Sequence, residues 1–263
     1  MSSWLLQSFP LIGTCLFVGV SMLVSIRLLL LARRTNRRPE LYLGLGLLGT
    51  AVLGYGVMIS AAILRGMEQA VSVSSLDRWL QAFGQIVHDA GVSMTVLFVL
   101  TVFRPTERWA RVLAGTLVAA LWIGHVGWEL GNRYEIVGRG HGLWWLRYGV
   151  IWTYPIWTMV ESYRYWATMR RRVAVGLAEP LIANRFFLWG TGSFSSLLAI
   201  WTSSSSFFLA DSPEILSAWA PTIQVATAAA GIATVSLYYL TFFPPLLYQR
   251  WIAGSAPLAS SPR

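Results

Sequence analysis

Lysine is absent from this 263-residue chain, so all 20 of its basic residues are arginine. A retinal pigment of the rhodopsin kind forms its Schiff base on a lysine amine, and the sequence therefore excludes such a pigment. Cysteine occurs once, at Cys15, which excludes an intramolecular disulfide, a cysteine zinc site and an iron–sulfur cluster. Charged residues make up only 12% of the chain and hydrophobic residues 56%, which is typical of a polytopic membrane protein.

Seven mostly apolar segments are each long enough to cross a hydrocarbon core about 30 Å thick. They cover residues 9–32, 41–64, 79–103, 110–130, 143–168, 186–210 and 218–243. Each is expected to be an α-helix, because a membrane span must satisfy its backbone hydrogen bonds internally. The sequence thus predicts an all-α integral membrane protein, with a single seven-helix bundle over residues 1–253 and a flexible tail over residues 254–263.

The arginines predict the orientation of the bundle. Alternate turns are rich in arginine, namely those with Arg33, Arg34, Arg37 and Arg38, with Arg104, Arg108 and Arg111, and with Arg170, Arg171, Arg172 and Arg185. The other turns hold fewer: Arg65, Arg78, Arg133, Arg139 and Arg147. Because cytoplasmic loops carry the arginine excess, we expect the N-terminus outside and the C-terminus in the cytoplasm. The net charge of +9 is explained in this way and does not indicate nucleic-acid binding.

The third span, residues 79–103, has a polar first half. It contains Gln81, Gln85, His88, Asp89 and Ser93, and the spacings of three, four and seven place these residues in one helical sector. Polar groups at membrane depth are costly, so they normally face the bundle interior, a cavity or one another. This span is therefore the first place to look for a functional site.

Three other spans place polar residues at a similar depth. The fourth carries Trp122, His125 and Glu129 on one face, the sixth a Thr/Ser run over residues 202–206, and the seventh Gln224. Together they predict an outward-facing pocket, lined by aromatic residues such as Trp152, Tyr154, Trp157 and Trp201. Helix packing is the alternative, because small hydroxyl residues let helices approach and Gln or His bonds across interfaces. The candidate ligand-binding residues are Gln85, His88, Asp89, His125, Glu129 and Gln224.

The same side chains raise the question of a metal or cofactor. Their ligand types suit zinc or iron, but neither helix has an HExxH-type spacing, so no metal site is predicted. A haem between His88 and His125 is chemically allowed, although His125 is expected nearer to the outer surface. No catalytic motif is found, and the chain is predicted not to be an enzyme. Glu161 pairs either with Arg164, three residues on, or with a residue of another helix.

Three stretches carry a resemblance to a known group of proteins: ARRTNRRPELYLGLGLLGTAVLGYG, FRPTERWARVL and RYWATMRRRVAVGLAEPLIANRFFLWG. They look like uncharacterised bacterial seven-helix membrane proteins and, more distantly, the seven-helix input regions that precede some bacterial histidine kinases. The resemblance implies a sensory or receptor-like role in a bacterial cytoplasmic (inner) membrane. It assigns no functional residue.

The leading hypothesis is therefore a sensor or receptor-like component that binds a small or lipophilic ligand. With no kinase or cyclase domain in the sequence, we expect its signal to pass to a separate partner protein. One alternative is a proton-coupled small-solute transporter in which His88 and Asp89 titrate. The other is a cofactor-binding or lipid-binding subunit of a larger membrane complex.

Overall fold

The computed structural model describes residues 3–67, 75–130, 142–209 and 212–254, and every regular element in these ranges is helical. The helices are α1 Ser3–Thr35, α2 Arg38–Leu47, α3 Gly56–Met67, α4 Ser75–Phe103, α5 Arg108–Gly124, α6 Gly142–Ala174, α7 Pro180–Leu209, α8 Pro213–Phe242 and α9 Leu246–Gly254. Two π-helical segments accompany them. Leu48–Tyr55 joins α2 to α3 without a break, and His125–Leu130 continues α5. Of the predicted flexible tail, residues 255–263 lie outside the described part.

The prediction of an all-helical protein with membrane-spanning helices is confirmed in its coarse form. Among the described residues, five segments are long and apolar enough to cross a membrane: Phe9–Thr35, Arg38–Ala61, Leu76–Phe103, Arg108–Gly127 and Glu214–Phe242. The fifth and sixth predicted spans fall within α6 and α7, which have 33 and 30 residues. These two helices are more polar, because α6 carries Arg147, Glu161 and Arg164 and α7 carries the Thr/Ser run.

Six of the described helices, α1, α2, α4, α6, α7 and α8, form a ring of successive contacts. α1 packs against α2 and α8, α8 packs against α7, and α7 packs against α6. α6 contacts α4 and α5, and α4 contacts α2, α3 and the π-helical segment between them. Half of the α4 span is buried, against 28–33% of the other four spans. Its Val92, Val96 and Val99 are at most 1% exposed, so α4 forms the centre of the core.

Glycines allow α4 to lie close to the second predicted span. A Cβ on Gly91 of α4 would lie 2.5 Å from the backbone nitrogen of Thr50, and one on Gly49 would lie 2.8 Å from the Cα of Gly91. Neither position has room for a side chain. This close approach between small residues is the usual way in which membrane helices gain packing contacts. The contact also fixes the position of α4 along the π-helical segment, and with it the position of the polar face of α4.

The predicted arginine-rich turns are confirmed as short connections between helices. Asn36, with φ 53°, separates α1 from α2, and Gly176, with φ 73°, lies between α6 and α7. Asn and Gly are the residues that adopt this left-handed conformation at least cost. α4 ends at Phe103, two residues before Pro105, which disfavours helix in the residue before it. These turns lie at one end of the bundle, which we call the arginine-rich end.

Candidate functional site

A buried ion pair between α4 and α6 forms the centre of the polar region. The carboxylate of Asp89 is 0% exposed and Arg147 is 3% exposed. Arg147 donates from Nε to Asp89 Oδ2 over 2.6 Å and from Nη2 to Oδ1 over 3.0 Å. This two-point geometry matches the guanidinium fork to both carboxylate oxygens and is the strongest common form of a charged hydrogen bond.

Two histidines complete the coordination of the same carboxylate. His88 Nδ1 lies 2.9 Å from Asp89 Oδ1, and His125 Nδ1 lies 2.7 Å from Oδ2. An ionised carboxylate only accepts hydrogen bonds, so Nδ1 carries the proton in both rings. Two donors from Arg147 and one from each histidine use all four of the approximate lone-pair sites of Asp89. We call these four residues, His88, Asp89, His125 and Arg147, the Asp89 cluster.

Aromatic and small residues enclose the Asp89 cluster. The ring of Tyr55 contacts the ring of His88 edge-on, with centroids 5.0 Å apart. Trp122 donates from Nε1 to Ser93 Oγ over 3.1 Å, and Ser93 donates to the backbone oxygen of Asp89. A Cβ on Gly124 would lie 2.8 Å from the Cβ of Arg147. The cluster is therefore tightly packed.

Both π-helical segments border this cluster. One ends at Tyr55, against His88, and the other begins at His125. A π-helix is rare and occurs mostly as a single turn, frequently at functional sites. The chain thus departs from α-helical winding at two places, and both place an aromatic or imidazole ring at the Asp89 cluster.

A second ion pair joins α6 to the residue that directly follows α4, near the arginine-rich end. Arg104 donates from Nε and Nη2 to the two oxygens of Glu161, over 3.0 Å and 2.9 Å. Glu161 is 1% exposed, while 21% of the Arg104 side chain is exposed. These hydrogen bonds raise the pKa of Arg104 above its ordinary value. Glu161 thus pairs outside its own helix, with a residue that directly follows α4.

A cavity of about 460 Å³ lies beside the cluster, between α1, α2, α3, α6, α7 and α8. Its deep end is closed by Trp189 and Tyr238, whose rings stack 4.8 Å apart. Its other end, away from the arginine-rich turns, is lined by Pro10, Leu216 and Gln224. No lining side chain among the described residues is charged. The volume lies in the range of pockets that bind small molecules.

The structure divides the predicted site residues between two places. Asp89, His88 and His125 meet in the cluster, and Gln224 lines the cavity. Gln85 lies one turn before Asp89, with its Oε1 buried and without a hydrogen-bond partner. The side chain of Glu129 lies outside the described part. Tyr55 contacts both places, because it lines the cavity and touches His88.

Several details of the predicted pocket are wrong. Of the four aromatic residues expected to line it, Tyr154 does so. Trp152 packs in an aromatic group with Trp144 and Tyr148, Trp157 packs against Trp109, and Trp201 is 61% exposed. The predicted difference in depth between His125 and His88 is also wrong, since both contact Asp89. The Thr/Ser run bonds mostly to carbonyls of its own helix, as the packing alternative expects, although Ser203 and Ser206 line the cavity.

Sequence reasoning missed Arg147. It was counted with the arginines of an outward loop, but it lies inside α6, in the segment LWWLRY. The signal in the sequence was Asp89, because an acid at membrane depth needs a counter-ion. Arg147 lies inside a predicted span, 143–168, at the end of the bundle where the polar half of the third span lies. In the part of the chain that the structure describes, no group of three His, Cys, Asp or Glu side chains has the arrangement of a metal site.

Comparison with known proteins adds no relative, since no family model, curated protein or solved structure matches the chain.

Proposed function

We propose that this protein is a seven-helix membrane sensor that binds a lipophilic ligand in the cavity and signals to a separate partner protein. In this proposal α6 and α7 also span the membrane. The N-terminus is outside and the arginine-rich end is cytoplasmic, in a bacterial inner membrane. The cavity opens toward the outer side, and Gln224 contacts the ligand near its mouth.

The observation that carries the proposal is a sizeable cavity without charge inside a helical bundle. A volume of about 460 Å³ in a core of otherwise close-packed helices forfeits packing contacts, unless a ligand restores them. The walls are apolar or hydroxyl-bearing, so the ligand that fits them is lipophilic.

The arrangement of the ion pairs supports a signalling role. Two bidentate pairs fasten α4 to α6, while α1 and α8 meet through small residues such as Gly13 and Ala228. The cavity lies between these two parts of the bundle. A ligand that favours one packing of α1 and α8 over another shifts their equilibrium position, and equal affinity for both packings would shift nothing. Such a movement reaches the arginine-rich turns at the opposite ends of the same helices.

A fluorescent chain lipid tests the proposal. The methyl ester of cis-parinaric acid is neutral and absorbs tryptophan emission, so binding near Trp189 is measured as energy transfer in nanodiscs. Gly231→Phe fills the cavity, because a Cβ at Gly231 has only one neighbour within 4 Å, Phe17 Cδ2 at 3.8 Å. We expect the wild type to show a saturable signal and Gly231→Phe to lose it.

Gly115→Phe is the matched control. Gly115 is an exposed residue of α5 with open space at its Cβ, and it does not line the cavity. The control should keep the saturable signal. If the wild type gives only the linear signal of lipid partitioning, or if both variants bind equally, the proposed function is wrong.

One observation favours a second candidate, proton-coupled transport. His88 and His125, two side chains of the type that proton relays use, contact the buried carboxylate of Asp89. Arg147 opposes this role, because it already neutralises that carboxylate. Proteoliposomes containing a pH dye distinguish the two candidates. If a membrane potential drives protons into the vesicles and Asp89→Asn abolishes this entry, the protein is a transporter. If no protons enter, the transport candidate is rejected and the sensor proposal stands.

A further inference from the structure

We infer that the ligand of the cavity is a neutral lipid with an extended hydrocarbon chain and a hydroxyl group. This inference rests on the proposed function and specifies the chemistry of its ligand. Three properties of the cavity carry it: its elongated shape, its lack of charge and the state of its hydroxyl groups.

The cavity is elongated. On α7 its lining extends from Trp189 to Ser206, and 17 residues at 1.5 Å per residue correspond to about 26 Å. A lining that continues over this length along one helix suits an extended hydrocarbon chain.

The lining selects against charged lipids. No described lining residue is an acid, an arginine or a histidine, and the nearest buried cation, Arg147, is already paired with Asp89. Moving an ionised group from water into such surroundings without a partner is very costly. A lipid with an anionic or cationic head is therefore a poor ligand.

Most of the hydroxyl groups in the cavity wall already donate their proton in a hydrogen bond within the protein. Thr50, Thr158 and Ser193 each donate to a carbonyl four residues earlier in their own helix. Thr202 does the same, so Thr227, which lies 2.9 Å from it and lines the cavity, is the donor in that pair. A hydroxyl has one proton and two lone pairs, so these groups can still accept.

A hydroxyl group on the ligand can both donate hydrogen bonds to this wall and accept them from it. It can donate to the unused lone pairs of the serines and threonines, and it can accept from a phenol such as Tyr55 or Tyr154. An ether of the same length can only accept, and it would leave the acceptors of the wall without a donor. The wall thus favours an alcohol over its methyl ether as well as over a charged lipid.

Displacement of the parinaric ester tests this specificity. Hexadecan-1-ol, hexadecyl methyl ether, hexadecyl sulfate and hexadecyltrimethylammonium share one chain and differ in the head group. Each is added to nanodiscs as a known mole fraction of lipid, with Gly231→Phe as the background. We expect the alcohol to displace the ester at a mole fraction at least tenfold lower than either charged lipid, and several-fold lower than the ether.

The outcomes separate the two proposals. If the ester binds but the sulfate or the ammonium lipid displaces it as well as the alcohol does, the inference of a neutral ligand is wrong and the sensor proposal stands. Equal displacement by alcohol and ether would overturn the role of the hydroxyl. Absence of saturable ester binding rejects the proposed function itself.

Discussion

Asp89 and Arg147 form a two-point ion pair across the interface of α4 and α6, and a second such pair lies 15 and 14 residues further along. In the first pair α4 supplies the acid; in the second, Arg104, which directly follows α4, supplies the base to Glu161. At 1.5 Å per residue the pairs are about 22 Å apart along parallel helices. A shift in register between the two helices would break both pairs, and a shift by the full distance between the pairs would bring like charges together.

Loss of Arg147 should destabilise the protein strongly. Arg147→Met leaves the fully buried Asp89 without its counter-ion, and breaking a buried pair from one side costs about 3–5 kcal/mol. Denaturant unfolding in mild detergent, followed by tryptophan fluorescence, measures the change. Arg164→Met, which removes an exposed arginine from the same helix, is the control and should cost less than about 0.5 kcal/mol. Equal stability of the two variants would contradict the pairing.

Removing both charges should cost less than removing one. In Asp89→Asn/Arg147→Met no unpaired ion is left in the core, so we expect the double variant to be more stable than Arg147→Met alone. The double-mutant cycle should give a coupling free energy of about 1–3 kcal/mol. Additive effects of the two substitutions would show that these side chains do not interact.

The second pair should be weaker because it is more accessible to water. The Arg104 side chain is 21% exposed, so Arg104→Gln should lower the free energy of unfolding by about 1–3 kcal/mol, less than Arg147→Met does. Arg108→Gln, at an exposed arginine nearby, is the matched control. A loss for Arg104→Gln as large as that for Arg147→Met would show that solvent does not screen the pair at the arginine-rich end.

The imidazole of His125 should act as a hydrogen-bond donor to Asp89. Asn places an N–H group near the position of Nδ1, whereas Phe keeps the ring and loses the donor. His125→Phe should therefore be less stable than His125→Asn by about 1–3 kcal/mol, the cost of an unsatisfied buried group. The reverse order would mean that the ring packs against Trp122 more than it bonds to the carboxylate.

Gly124 should be required for the close approach of α5 to Arg147. A Cβ there would lie 2.8 Å from the Cβ and the backbone nitrogen of Arg147, so Gly124→Ala should cost about 1–3 kcal/mol through overpacking. Gly149→Ala on α6 meets no atom within 4 Å and should be neutral or stabilising. Denaturant unfolding of Gly124→Ala and Gly149→Ala under the same conditions measures the difference, and equal stability of the two variants would contradict the close approach at Gly124.

Much of the architecture was predictable, because long apolar runs in the sequence indicate membrane helices and the arginine-rich stretches indicate the turns between them. The polar sector of α4 was found from its spacing, and Asp89 with His88 lies at the centre of the cluster. Arg147 was missed because it follows two tryptophans near the beginning of a span, where an arginine normally belongs to the interface. Pairing between helices depends on their rotation and height, which one sequence does not specify.

The separation of the cavity from the cluster was not predictable for a related reason. Most of the cavity wall consists of Ser, Thr, Ala and Gly, the same residues that close helix packing uses, so its pattern resembles an interface. The tryptophans expected in the pocket pack elsewhere because their direction depends on the rotation of α6 and α7. The depth of His125 was misjudged because the relative height of two neighbouring helices is not specified by the sequence of either.

The π-helical segment Leu48–Tyr55 lies between α2 and α3, in the middle of the second predicted span, and its winding differs from that of both helices. One residue of a helix corresponds to a turn of about 100°, so absorbing or releasing a single residue within the segment would rotate α3 by that angle relative to α2. Tyr55 lies at the end of the segment, and such a rotation would move its ring from His88 to another face of the helix. A change in winding there would therefore convert a small axial adjustment into a large angular one.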